Sequence, residues 1–329
     1  MNDTKQPPNP ANSDPTGLTP LELVARLHQT RPLHFYPRAL LDALLGVWDE
    51  AAPALVDHLE RAIAEATACV ERGEETPDND GVLLSIILLR HKSETRGSAA
   101  MQSLVRAPLA CADALMGDVL TESLSEIIVA TLPATLDAAA GLLRLAVEPG
   151  INHWSRLATL NAIVYAVDDG KIERQAAIDA IAPLLNPDHA VIRASEEDLD
   201  LSSSVVNTLV DLRAEALVEE LRSVSAEVVF DPYIATEHIA YWVAQPFEAG
   251  RALRQERRAS SEELHDWLAS WACYRPEEAA WRSPTGRPVA PSVRATTLGK
   301  GSVNPGVKSK ALRVQKKKVR QMKKKSRKR

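Results

Sequence analysis

Residues able to carry chemistry are plentiful in this chain, but their spacing seldom suits a reaction. Eight histidines, His28, His34, His58, His91, His153, His189, His238 and His265, show no H-E-x-x-H pattern and no pair four residues apart. A helix-borne zinc site therefore has no ligand pair on one face. Glu237 adjoins His238, yet neighbouring helical residues point about 100 degrees apart, so the two do not share a proton readily. The GKGS stretch at 299–302 resembles the end of a phosphate-binding loop, but Lys300 is followed by glycine and no strand precedes it. No G-x-S-x-G elbow is present, and Cys69 and Cys111 sit in alanine-rich helical surroundings, where a small buried thiol is the expected state. The acidic run SEEDLD at 195–200 lacks the alternation and glycine of a calcium loop and reads as a solvated helix start. These patterns imply no cofactor, no metal and no catalytic residue.

Two other features are unusual. Nine of the fourteen aromatic side chains fall between Phe230 and Trp281. Within them Leu264, Trp267, Leu268 and Trp271 share one helical face. Two readings follow: a seal of large side chains behind the last structural repeat, or a partner groove formed by Trp242, Trp267, Trp271 and Tyr274. The second feature is charge. Beyond Glu278 the chain has no acid and seventeen of its 39 basic residues, leaving 22 cations against 44 carboxylates before that point. A strongly acidic body thus carries a polycation, in which Lys316, Lys317, Lys318, Arg320, Lys323, Lys324, Lys325, Arg327, Lys328 and Arg329 are candidates for binding RNA, DNA or another polyanion. A plain solubilising tail, an anionic membrane surface and the protein's own acidic face are the competing partners.

The elements that must position these groups are helices. From about residue 35 to 275 apolar residues recur at helical spacing, and four hairpins are predicted: YPRALLDALLGVW with APALVDHLERAIAEA, GVLLSIILLRHK with GSAAMQSLVRA, TESLSEIIVATL with ATLDAAAGLLRLAV, and HWSRLATLNAIVYAV with ERQAAIDAIAPLL. Their first helices begin near 38, 81, 121 and 153, close to the roughly 40-residue period of HEAT-type repeats. Gly170 in VDDGKI suits a left-handed helix end, and Ser260 with Glu263 suits a capping box. VVFDPY at 228–233, the one β-prone run, reads as an inter-helix turn. The expected fold is an all-α, HEAT-like α-solenoid. It comprises a disordered leader (1–20), a helical-repeat domain (21–275), a flexible linker (276–307) and the Lys/Arg-rich tail (308–329).

The longest apolar run, VLLSIILL, falls well short of the ~20 residues a bilayer span needs, so no membrane span is expected. The proline-rich start lacks the apolar core of a signal peptide, and three scattered cysteines suit a reducing compartment. A cytoplasmic location is expected.

The order of the segments FYPRALLDALL, DEAAPALVDHLERA, LMGDVLTESLSEIIVATL, INHWSRLATLNAIVYAVDDGKIERQAAI and WLASWACY resembles the bacterial DUF1186 family. The resemblance implies a HEAT-like helical architecture and no assigned activity. Many such proteins end in a SEC-C motif that binds zinc through cysteines. GKGSVNPGVKSK stands in that place here without a cysteine, so no zinc is carried over. The functional expectation is a non-enzymatic scaffold or adaptor with an unknown protein partner, and the runner-up is a nucleic-acid- or ribosome-associated protein using the tail. A third possibility is an enzyme whose site assembles on the concave face from distant residues such as His153, Arg156 and Asp118.

Overall fold

The computed structural model describes residues 14–29, 36–76, 80–193, 201–227, 236–259, 263–269 and 271. The chain divides into two compact units, 1–282 and 283–329, and every described residue lies in the first. The runs SEEDLD and VVFDPY, Ser260, Tyr274, the linker and the basic tail lie outside the described residues.

Among the described residues there are seventeen α-helices and no strand, so the fold is all-α. In chain order they are α1 (Pro20–His28), α2 (Arg38–Gly46), α3 (Trp48–Glu71), α4 (Asp80–His91), α5 (Ser98–Arg106), α6 (Leu109–Met116), α7 (Val119–Glu122), α8 (Leu124–Thr131) and α9 (Leu136–Val147). There follow α10 (His153–Asp168), α11 (Arg174–Ile181), α12 (Ala190–Arg193), α13 (Leu201–Asp211), α14 (Val218–Glu227), α15 (Ile239–Val243), α16 (Phe247–Ala259) and α17 (Leu264–Ala269).

Of the predicted pairs, α10 and α11 pack on each other, whereas α4 and α5 meet chiefly through α3, and α8 and α9 through α10. Between helix pairs the packing follows two rows. Helices α4, α8, α10 and α13 touch in succession, as do α9 and α11 on the other side. The inner row is apolar nearly all round, as a helix with neighbours on every side must be. α4 buries eight of its twelve residues and α10 eleven of its sixteen. In the first predicted pair only Val47 separates α2 from α3, which touch, and α1 packs against both. α3 also begins at Trp48 and runs through Pro53, whose ring faces solvent, where the sequence suggests a start at Ala52. Short apolar α6 and α7, unforeseen in the sequence, pack respectively on α3 and α4 and on α8 and α10.

Buried cations stitch successive helices. Arg156, 4% exposed, donates to the carbonyls of Ala146 and Glu148, each at 2.7 Å, and of Ile151 at 3.3 Å. It thereby satisfies the orphan carbonyls at the end of α9, which burial would otherwise leave without water. Lys171 does the same for α8, reaching Val129 O at 2.7 Å and Leu132 O at 2.9 Å. The Arg of the HWSRLA junction is therefore a helix cap, and Gly170 takes the left-handed φ of 68° expected of it.

Candidate functional site

The polar groups that cluster do so where α16 and α17 cross the inner row. α10 ends in Asp168 and Asp169, two carboxylates at the negative end of the helix dipole, where each is unfavourable unless a cation is near. α16 supplies the cations four residues apart, which places Arg254 and Arg258 on one face. Arg254 grips Asp168 with two hydrogen bonds of 2.7 Å, Nε to Oδ2 and Nη2 to Oδ1, and reaches Asp211 on α13 at 3.4 Å. Arg258 grips Asp169 in the same forked manner, at 3.0 and 2.6 Å. The Asp168 side chain is fully buried and that of Arg254 is 10% exposed. Burial, the largest single influence, works against the charge on Arg254, but its hydrogen bonds to Asp168 together with the charges of Asp168 and Asp211 outweigh it and raise its pKa.

Aromatic faces complete the grip. Phe247 lies between the guanidinium groups of Arg174 and Arg254, 5.3 and 5.5 Å from its ring centre. Arg258 stands 4.9 Å over Tyr165. Gly250 makes the approach possible, because a Cβ there would come within 2.7 Å of Arg213 Nη2 and 3.1 Å of Arg254 Nη1. Arg213 cannot swing away easily, since it is 7% exposed and donates to Val210 O and Gln245 O.

α16 and α17 form an arm whose far end reaches the opposite end of the row. His265 on α17 connects the Tyr36 hydroxyl, through Nδ1, to Asp42 Oδ1 on α2, 2.8 Å from Nε2. Trp267 lies under the guanidinium of Arg90 on α4, at 4.7 Å, and Arg90 also contacts Glu126 on α8 at 2.5 Å. Trp267 and Trp271 meet edge to face at 5.3 Å. Both are half-buried against the core, so the α17 segment is packed inward. It folds back over helices near the chain's beginning.

A carboxylate–imidazole–hydroxyl series is the arrangement that activates a nucleophile. Here burial, ahead of neighbouring charges, pushes the Tyr36 hydroxyl up to about 12, away from activation. Two cavities among the described residues lie elsewhere, one lined by Met101, Ile128 and Leu142, the other by Leu120, Trp154 and Asn161. The series links α17 to α2 and to Tyr36. Of the His153, Arg156 and Asp118 grouping, Arg156 is engaged as a cap and Asp118 stands exposed before α7. No group of three or more His, Cys, Asp or Glu suited to a metal occurs among the described residues.

Of the sequence-predicted partner residues, Trp267 and Trp271 belong to the arm, and Trp242 lies on α15, 43% exposed and 5.4 Å from Tyr241, itself 59% exposed. The Asp168–Asp169 and Arg254–Arg258 pairs were not singled out by sequence reasoning. Their signal was present: two acids at the wrong end of a helix demand cations from elsewhere, and R-x-x-x-R in α16 offers two on one face.

Packed helices and no strand among the described residues define the class, an all-α protein. The chain belongs to DUF1186, a family described as proteins of unknown function, which it matches over residues 22–274. Among curated proteins it is similar to an uncharacterized protein of Chlamydia trachomatis serovar D and to another of Chlamydia muridarum, 29% identical to each over 153 residues. That match spans 46% of this chain and 57% of each relative, so the chain covers little more than half of their length. No solved structure matches. No helix among the described residues is long and apolar enough to cross a membrane.

Proposed function

We propose that this protein is a non-enzymatic scaffold or adaptor, a HEAT-like stack that binds a protein partner in the cytoplasm. The observation that carries the reading is the exposed aromatic pair Tyr241 and Trp242 on α15, where the other described aromatics, Trp154, Tyr165 and Phe247 among them, pack in or against the core. Aromatic side chains presented to solvent on a rigid helical support are the residue types that anchor interfaces. Two further observations support it. The Asp–His–Tyr series, the arrangement closest to a catalytic one, is fastened and has a raised hydroxyl, and Cys69 and Cys111 are buried free thiols, as a reducing compartment would keep them.

The test is cross-linking mass spectrometry of the full chain in nuclease-treated native lysate, run beside Tyr241→Ala/Trp242→Ala. A discrete protein set cross-linked at α15 and lost in the variant is the expected result. Cross-links that ignore α15, or that vanish with nuclease, would overturn it.

A second reading is favoured by the charge division. The tail cations from Lys316 to Arg329 would bind RNA or DNA by releasing counterions, without reading sequence. A chain ending at Val307 should then lose nucleic-acid affinity and keep its fold. Affinity of the full chain should fall with salt on a log-log slope of about −5, for about six phosphates engaged. Equal RNA binding by both chains would refute this reading.

A further inference from the structure

α15 is held firmly on one side and open on the other. Ile239 and Val243 turn into the core at 0% and 1% exposed, while Tyr241 and Trp242 stand on the outward side. Both ends of the helix are pinned. Before it, the hydroxyls of Ser225 and Thr236 bond at 2.6 Å and tie the 3-10 turn Thr236–His238 to α14. After it, Arg213 Nε donates to Gln245 O at 3.0 Å. The two rings are thus presented on a backbone that has little freedom left to lose when something binds.

The charges beside these rings have one sign in excess. The turn runs directly into α15, so Glu237 stands one helical turn before Tyr241 and His238 one turn before Trp242, all four exposed. On α14, the turns beside it and the first residues of α16, the exposed acids Glu215, Glu219, Glu220, Glu237 and Glu248 stand with two arginines, Arg222 and Arg251. Arg222 is engaged by Glu219 at 3.4 Å and Arg251 by Glu248 at 3.2 Å. Among the described residues no cation is left for Glu215, Glu220 or Glu237. Ring faces beside carboxylates in excess attract cations and repel phosphate backbones and acidic segments. Of the two long cationic side chains arginine suits the face better, because its planar guanidinium lies flat on a ring while its fork reaches a carboxylate.

We propose that the outward face of α15 is a docking site for an arginine-rich segment of a partner protein, with an arginine laid on the rings of Tyr241 and Trp242 and paired with Glu237. The proposal rests on the scaffold reading and states what its partner brings to α15. Discrete cross-links at α15 to a protein with no basic segment there would leave that reading standing and sink this one.

The probe is a labelled peptide of about ten residues alternating glycine and arginine, followed by fluorescence anisotropy against the full chain. An exposed cation–ring contact changes affinity by about two- to fivefold, so Trp242→Leu should weaken binding about threefold and Tyr241→Leu/Trp242→Leu about tenfold. Glu237→Gln leaves the rings in place and should weaken it about threefold while making it less sensitive to salt. Glu60→Gln removes an exposed acid from α3 and should change nothing, which separates this site from the general pull of an acidic protein. A glycine–lysine peptide should bind about threefold more weakly than the arginine probe, and a glycine–glutamate peptide should not bind. Glu237, Tyr241 and Trp242 are all exposed, so the variants should keep their fold, which far-UV circular dichroism checks. Equal affinity for the unaltered chain and the ring variants, or an equal loss in Glu60→Gln and Glu237→Gln, would overturn the proposal. So would a labelled oligouridylate, or a second copy of the chain, whose binding is lost with the rings while that of the arginine peptide is kept.

Discussion

Replacing Arg254 with methionine removes the charge while keeping a long helix-compatible side chain, and its effect can be worked from the geometry. With the arm docked, Asp168 would remain fully buried without its forked partner, beside Asp169 and against the dipole of α10. Breaking a buried pair in this manner costs about 3–5 kcal/mol. The chain has an escape, because α16 can lift and let water reach Asp168; the loss is then capped by the free energy with which the arm docks. Arg258→Met should cost less, about 1 kcal/mol, since that pair is 16% and 29% exposed and already partly hydrated. Urea unfolding followed by far-UV circular dichroism reports the helices, while tryptophan emission reports the arm through Trp267 and Trp271 along with the other indoles. In Arg254→Met the emission transition should move to lower urea ahead of the dichroism transition. The double change Arg254→Met/Asp168→Leu should restore most of the loss, a coupling of about 2–3 kcal/mol. Coincident, unshifted transitions in Arg254→Met, or no recovery in the double variant, would refute the assignment of this pair as the arm's main fastening.

Other consequences can be checked separately. A Cβ at Gly81 would lie 2.5 Å from Leu27 O and 2.8 Å from His28 Cα, both backbone atoms, so Gly81→Ala should force α1 off α4 and lower stability by about 2 kcal/mol despite better helix propensity; a thermal melt decides. Burial, then Arg61, depresses the pKa of His58, whose ring stacks on His28 at 3.1 Å. The unfolded chain then binds more protons than the folded one below the ordinary value of 6.5, so stability should fall as pH drops from there toward the depressed value. His58→Gln should flatten the urea midpoint across that window. Arg156→Met strips three carbonyls of their donor and should cost about 2–4 kcal/mol, with hydrogen exchange quickening first where α9 meets α10.

Much of the fold was legible because apolar spacing is a local property. LLSIILL and TLNAIVYAV are apolar on all sides, and such helices must lie inside; α4 and α10 do. Gly170 could be placed because a left-handed helix end is a matter of one residue's φ. Errors arose where local signals compete. Pro53 suggests a break, but α3 tolerates it near its first turns, where the ring can face water. The relation of α2 to α3 was set by α1, whose sequence says nothing about which helix it will touch.

By itself the sequence determined the helices, the division between an acidic body and a basic end, and the family. These follow from periodicity, composition and segment order, which survive without knowing what lies opposite. Only the tertiary structure decided that the aromatic C-terminal helices return across the row. It alone brought together Arg254 with Asp168, 86 residues apart, and His265 with Asp42, 223 apart. The physical reason is that a charge or a ring carries no address. Several carboxylates and several guanidinium groups satisfy the same pairing rule, and the choice among them is made by the packing that brings two particular helices within hydrogen-bond reach.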